Sequence, residues 1–292
     1  MAAVYSPAPG LESAWNARLS GARPRTVAFA YGLSRAGEGH IHDGMTPVDP
    51  RLACTVLLVR DRGGLEVLMV ERHESQNFAS ALVFPGGLVD PDDGFDEWDP
   101  LSIAHETLTR EERAIRVAGF RELYEETGVL LTDADGPPLK ESPHPGEGSF
   151  LQLVEKIGAR LDLDAMHPFA HWITPIFAPK RYDTHFRLCG LTTELNAVSD
   201  GTETVSVEWI RPQEAVNLGA AGERVVLFPT RLNLQMLAQA GSVEEAIDAA
   251  KARTIVTVSP RMVTRPDGKF LVIPPEAGYG PAEEPAGRVR VS

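Results

Sequence analysis

The sequence predicts an α/β fold in which a mixed central sheet lies between helices. Three observations predict it. Strand-like apolar runs dominate the early part of the chain. A helix with a carboxylate-rich face follows the third run. Further helical stretches then follow the later strands towards the C-terminus. Elements in that mixture cover both faces of a sheet with helices.

The elements follow in order. Ala53–Arg60 is a near-continuous apolar strand. Asp61-Arg62-Gly63-Gly64 is a turn, and Leu65–Glu71 completes a hairpin. Ala81–Phe84 is a short strand that feeds Phe84-Pro85-Gly86-Gly87. A helix is expected over 110–126. Thr109 is its N-cap, Glu112 reaches back to complete a capping box, and Gly128 stands at its C-cap. Val129-Leu130-Leu131 starts the next strand, and 132–148, rich in Asp, Gly and Pro, reads as a loop. Phe150–Gly158 is a helix, while Trp172–Phe177, Thr184–Thr192 and Thr204–Ile210 are strands. Helices are expected over 212–218, 229–240 and 243–252, and two strand-like pieces follow Thr254. The organisation expected is an irregular N-terminal arm over 1–47, with a short helix near Leu11–Leu19. A main domain over 48–280 has an acidic insert at about 90–108 and helical additions at about 212–252. A flexible tail over 281–292 completes the chain.

Composition excludes several classes. A net charge of −13 and a pI near 5.1 argue against a partner that is duplex nucleic acid. They leave room for a phosphorylated small molecule whose charge a metal neutralises. No run of 18 apolar residues occurs, so no membrane span is expected. The cysteines are Cys54 and Cys189, both in apolar runs, which reads as buried free thiols in a reducing, cytoplasmic setting. The N-terminal arm reads as a flexible segment or an oligomer contact, and a homodimer stays open.

The chemistry lies in Arg121-Glu122-Leu123-Tyr124-Glu125-Glu126-Thr127-Gly128-Val129. On a helix, Glu122, Glu125 and Glu126 fall within about 100° of arc. Val117, Phe120, Leu123 and Tyr124 point to a core. Like charges at this spacing repel by a few tenths of a kcal/mol per pair, so the cluster calls for a cation. Oxygen ligands at this density suit Mg²⁺ or Mn²⁺. Arg121 is placed to buttress Glu125, four residues on. Upstream, Gly86 and Gly87 allow a tight backbone approach to a ligand.

The glycine pair followed by this nine-residue segment resembles the Nudix box of Nudix hydrolases. The second half matches at Arg121, Glu122, Leu123, Glu125, Glu126, Gly128 and Val129. Gly87 and Arg121 stand 34 positions apart where the usual box has 14, so about 20 residues are inserted. The box also places a Glu six positions after its first glycine. Asp93 stands there, but the insertion points instead to Glu111 or Glu112, where the helix begins. The acidic insert itself reads as a solvated loop, with a lid as the alternative.

The resemblance implies an α/β/α sandwich and hydrolysis of a diphosphate bond. It implies a metal held by Glu122, Glu125, Glu126 and the carbonyl of Gly87, with Gly86, Arg121 and Gly128 as supports. The catalytic candidates are Glu122, Glu125 and, from outside the box, Glu203. The stretch from Val70 to Asp90, the inserted box, and Trp172-Ile173-Thr174-Pro175 with Lys180-Arg181-Tyr182-Asp183-Thr184 are similar to acyl-coenzyme A diphosphatases. That branch carries an Arg, a small residue, a second Arg and a Gly before FPGG. Here Arg72 is present, His73 replaces the small residue, and Asn77 and Ala81 stand near the second Arg and the Gly. The substrate expected is therefore a nucleoside-diphosphate-linked small molecule, coenzyme A or its acyl esters first. NADH or ADP-ribose is the alternative, and a non-catalytic ligand-binding module is a third reading. Arg72 and Arg181 are the candidate substrate cations.

Overall fold

The computed structural model describes residues 2–5, 48–72, 81–133, 149–191, 204–280 and 283–287. In chain order the strands are β1 (Ala2–Tyr5), β2 (Arg51–Asp61), β3 (Leu65–Arg72), β4 (Leu82–Val83), β5 (Gly86–Leu88), β6 (Ser102–Ile103), β7 (Leu130–Asp133) and β8 (Leu161–Asp162). They continue with β9 (His167–Ile173), β10 (Tyr182–Gly190), β11 (Thr204–Ile210), β12 (Thr257–Val258), β13 (Arg261–Arg265), β14 (Gly268–Val272) and β15 (Glu283–Pro285). The helices are α1 (Arg110–Thr127), α2 (Phe150–Ile157), α3 (Pro212–Ala221), α4 (Phe228–Leu237) and α5 (Val243–Ala252).

The main sheet runs β11-β3-β2-β10-β9-β12, with β4 added to β3 and β5 added to β2. β10 lies parallel to β2, and β12 parallel to β9, while the other pairs are antiparallel. The continuous apolar run of β2 has a direct cause: both of its faces are covered. Cys54, Val56 and Leu58 pack with Ile115, Phe120 and Leu123 of α1 and Val154 of α2. Leu57 and Val59 point the other way, into a second core with Phe228 and Leu232 of α4 and Ala246 of α5. The result is an α/β/α sandwich with a mixed sheet.

Helix α1 starts where Thr109 Oγ1 accepts from the Glu112 N–H at 3.1 Å. It stops at Gly128, whose φ of 68° is left-handed and whose N–H donates to the Tyr124 carbonyl. The capping box expected there is only half made. The Glu112 carboxylate accepts from Arg116 at 2.8 Å and from Arg187 of β10 at 2.7 Å instead. Most of α1 is buried, its charged residues included: Arg113, Arg116, Arg121, Glu122 and Glu126 all lie inside.

The insert is the main departure from expectation. It is a folded flap and not a solvated loop. Three short 3₁₀ turns, Pro91–Gly94, Asp96–Trp98 and His105–Thr107, carry it over α1, and β6 within it pairs with β8 in parallel. Trp98 is buried against Phe150 at a ring separation of 5.6 Å, and its Nε1 donates to the Asp92 carbonyl at 3.0 Å. Buried Arg113 bonds Asp96 at 3.1 Å and also pairs with Asp99. Two of the insert's acids are thus partners of an arginine on α1.

Smaller differences have simple causes. The strand expected at Trp172–Phe177 is His167–Ile173, because Pro175 supplies no donor for a ladder. Residues 2–5 of the N-terminal arm pair antiparallel with β7, so the arm is not wholly irregular. Glu283–Pro285, assigned to the flexible tail, pairs with β14. The short helix expected near Leu11–Leu19 and most of the 132–148 loop lie outside the described residues. Among the described residues no helix is long and apolar enough to cross a membrane.

Trp98 is the anchor of the flap, so Trp98→Ala should cost about 3–5 kcal/mol of stability. Urea unfolding checks this through a lowered midpoint. An unchanged midpoint would mean that the flap contributes nothing to the core.

Candidate active site

The site forms where β5 lays its glycines beside α1. Gly86 pairs with Thr55 and Gly87 with Cys54 on β2. This packing leaves no room for side chains. A Cβ on Gly87 would stand 2.4 Å from the Glu122 carboxylate, and one on Gly86 2.4 Å from the Cys54 carbonyl oxygen. The Gly86 N–H donates to Glu126 Oε2 at 3.0 Å, which fixes that carboxylate against the loop.

Arg121 is the hub. Its Nε and Nη2 donate to the two oxygens of Asp93, each at 2.9 Å. Nη2 also reaches the Leu88 carbonyl at 2.8 Å. Nη1 donates to Glu122 Oε1 at 2.7 Å and to Glu125 Oε2 at 3.2 Å. The expected support of Glu125 is present, but the bidentate pair with Asp93 is the tighter contact. Asp93 is itself oriented, because its Oδ2 accepts from the Asp90 N–H at 2.8 Å.

This overturns the choice of Glu111 or Glu112 as the acid of the box. Glu111 is exposed, and Glu112 serves Arg116 and Arg187. Asp93 fills that place six positions after Gly87, because the extra residues enter after it. The spacing from the glycine was the signal.

The site is also strongly charged. Asp93, Glu122 and Glu126 are nearly inaccessible, while the Glu125 side chain is 38% exposed. Burial pushes the Glu122 carboxyl up to about 8, against the pull of Arg121 and with help from Glu125. Burial likewise raises Asp93, opposed by its bonds from Arg121. Burial alone would lower Arg121, but Glu122 and Asp93 outweigh it and keep the guanidinium charged. Among the described residues, Arg121 is thus the cation bonded to Asp93, Glu122 and Glu125. The oxygen donors of Glu122, Glu125 and Glu126 beside Gly87 fit a hard divalent ion.

The remaining expected residues separate. Glu203 lies outside the described residues, as do Asn77 and His73. The backbone of Arg72 pairs with Thr204 at the end of β3, and its side chain is not among those described. Arg181 has backbone partners on two segments. Its Nε donates to the Thr174 carbonyl at 3.1 Å and one Nη to the Val48 carbonyl at 2.8 Å, so it straps backbone segments together. Cys54 and Cys189 are free and buried, and burial pushes each thiol up to about 12, which makes them inert packing.

Residues 102–234 match the family model of the NUDT19 Nudix domain. The acyl-coenzyme A diphosphatase NUDT19 of Homo sapiens is 25% identical over 272 residues, which cover 74% of this chain and 72% of that protein. The chain is a Nudix hydrolase. It resembles the NUDT19 branch of that family: the Gallus gallus protein of the same description is 26% identical over 287 residues, 78% of this chain and 76% of its own. A crystal structure of a Nudix hydrolase from Alicyclobacillus acidocaldarius has a TM-score of 0.59 and 25% identity, covering 68% of this chain and 96% of that one. The family match begins at Ser102, beyond the glycine pair and Asp93. The geometry joins that first half of the Nudix box to the second. An enzyme replaces the non-catalytic reading of this Nudix fold.

The raised Glu122 pKa sets a pH dependence for the metal-free protein. The folded state binds this proton up to about 8 and the unfolded chain only to its ordinary 4.5. The folded state therefore holds more protons between those values, and its stability falls as pH rises through that window. Thermal melts in EDTA should show a falling Tm from about pH 4.5 to 8, flattened in Glu122→Gln. A Tm that rises over the window in wild type and variant alike would contradict it.

Proposed function

We propose that this diphosphate hydrolase uses Mg²⁺ or Mn²⁺ and cleaves a nucleoside-diphosphate-linked small molecule, with coenzyme A and its acyl esters first among substrates. The observation that carries the metal dependence is the gathering of the Glu122, Glu125 and Glu126 carboxylates on one helix beside the glycine pair. Glu122, Glu125, Glu126 and the Gly87 carbonyl are the ligands proposed. When bound, such an ion neutralises the diphosphate oxygens and acidifies a water.

The chain's own residues have distinct tasks in this reading. Arg121 holds Glu122 and Glu125 in one orientation, so that little rearrangement is needed when substrate arrives. Gly87 keeps the wall over Glu122 free of side-chain atoms. Glu125 is the box carboxylate most open to solvent, which suits it to take a proton from an attacking water. Glu122 and Glu203 remain the other candidates for that proton.

The coenzyme A preference draws on the acyl-coenzyme A diphosphatases from Homo sapiens and Gallus gallus. Arg72 is the cation proposed for the 3′-phosphate of the nucleotide, whereas Arg181 has backbone carbonyls to hold. NADH and ADP-ribose stay as the second reading, because Asn77 and Ala81 stand where the coenzyme A signature has Arg and Gly. The free thiols fit a reducing, cytoplasmic setting.

Glu125→Gln should lower kcat about 100-fold or more, a few kcal/mol of barrier, with the circular dichroism unchanged. Turnover of a panel of coenzyme A, acyl-CoAs, NADH and ADP-ribose, with products identified by mass, assigns the substrate. Wild-type turnover that survives EDTA would defeat the metal reading. Arg72→Ala should harm coenzyme A more than its 3′-dephospho form, and equal losses would remove Arg72 from that role.

A further inference from the structure

The eight histidines show no metal-ligand spacing along the chain, yet the sheet brings two of them to one aspartate. His171 on β9 stands directly opposite His185 on β10, and Asp183 lies two residues before His185, so all three side chains share a face. The imidazole rings stack with centroids 4.3 Å apart. Nε2 of His171 lies 2.5 Å, and Nε2 of His185 3.6 Å, from the same Asp183 oxygen. One donor atom from each residue falls within 4.8 Å of the others. We propose that His171, Asp183 and His185 form a second divalent-metal site, of the imidazole–carboxylate kind that takes Zn²⁺.

Two further observations support it. Nδ1 of His171 lies 2.8 Å from Thr257 Oγ1 on β12. When that nitrogen carries the proton and donates to the hydroxyl, Nε2 turns a lone pair towards the Asp183 carboxylate. A metal ion there would take the place of the proton that otherwise joins His171 Nε2 to the Asp183 oxygen 2.5 Å away. A zinc-binding histidine is held in the same way, by a hydrogen bond to its other nitrogen. The cluster is also half-buried, so an ion can enter and keep a position for water.

The site is separate from the glutamate cluster, though both lie on the α1 face of the sheet. In register across the sheet, Gly87 of β5 pairs with Cys54 of β2, and Cys54 with His185 of β10. Two strand spacings, about 10 Å, therefore divide Gly87 from His185. The donor sets differ in kind: oxygen alone beside Gly87, imidazole with one carboxylate here. The first suits Mg²⁺ and the second Zn²⁺.

The full chain is titrated with Zn²⁺ by calorimetry in saturating Mg²⁺, which fills the oxygen site. One equivalent of Zn²⁺ should bind and should be lost in His185→Ala and in Asp183→Asn. Thr257→Val, which removes the bond to Nδ1, should weaken Zn²⁺ about 10–100-fold. No Zn²⁺ uptake above Mg²⁺, or uptake unchanged in both ligand variants, would overturn the proposal and leave a His171–Asp183 ion pair. Should the variants fail to fold, anomalous scattering from wild-type crystals soaked in Zn²⁺ decides the matter. A peak between the three side chains supports the site, and a peak only beside Glu125 overturns it.

Discussion

The bidentate pair between Arg121 and Asp93 is the interaction on which the catalytic geometry depends. It is buried, with both oxygens of one carboxylate matched to two nitrogens of one guanidinium. A pair of this kind is stronger and more directional than a surface ion pair. The remaining donors of Arg121 then have fixed directions. One reaches the Leu88 carbonyl at the end of the glycine strand, and another serves Glu122 and Glu125. Loop, helix and acidic side chains are thereby referred to a single group.

Ion pairs made by buried arginines recur along α1 and beside it, with acids that are more open to solvent than Asp93. Arg113 holds the flap through Asp96 and Asp99, and Glu112 joins Arg116 to Arg187 on the sheet. Desolvation removes much of the energy such pairs would otherwise give. Their effect here is on orientation. The apolar core with Phe120 and Leu123 holds the helix to the sheet, and the arginines determine which way its glutamates point.

Much of this was legible from residue patterns. β2 is apolar throughout because it is covered on both faces, and Thr109 and Gly128 mark the ends of α1 through local backbone chemistry. The three glutamates are adjacent because a helix repeats every 3.6 residues. What stayed hidden depended on distant partners. The acids of the insert read as solvated because their arginine lies on α1, beyond the insert itself. Trp98 is one apolar residue in an acidic run, and it has no periodic company to announce a core. His171, Asp183 and His185 meet only through the register of two antiparallel strands, which spacing along the chain does not reveal.

The position of the insertion has an energetic consequence. The Arg121–Asp93 pair closes a loop of 28 residues. Loop-closure entropy grows only logarithmically with length, so lengthening a box of ordinary size to this one costs about 1 kcal/mol. Burying one large aromatic side chain contributes more than that. A flap that carries its own tryptophan thus offsets the entropy of its own presence. The Nudix box tolerates the interruption because its two halves are joined through space as well as along the chain.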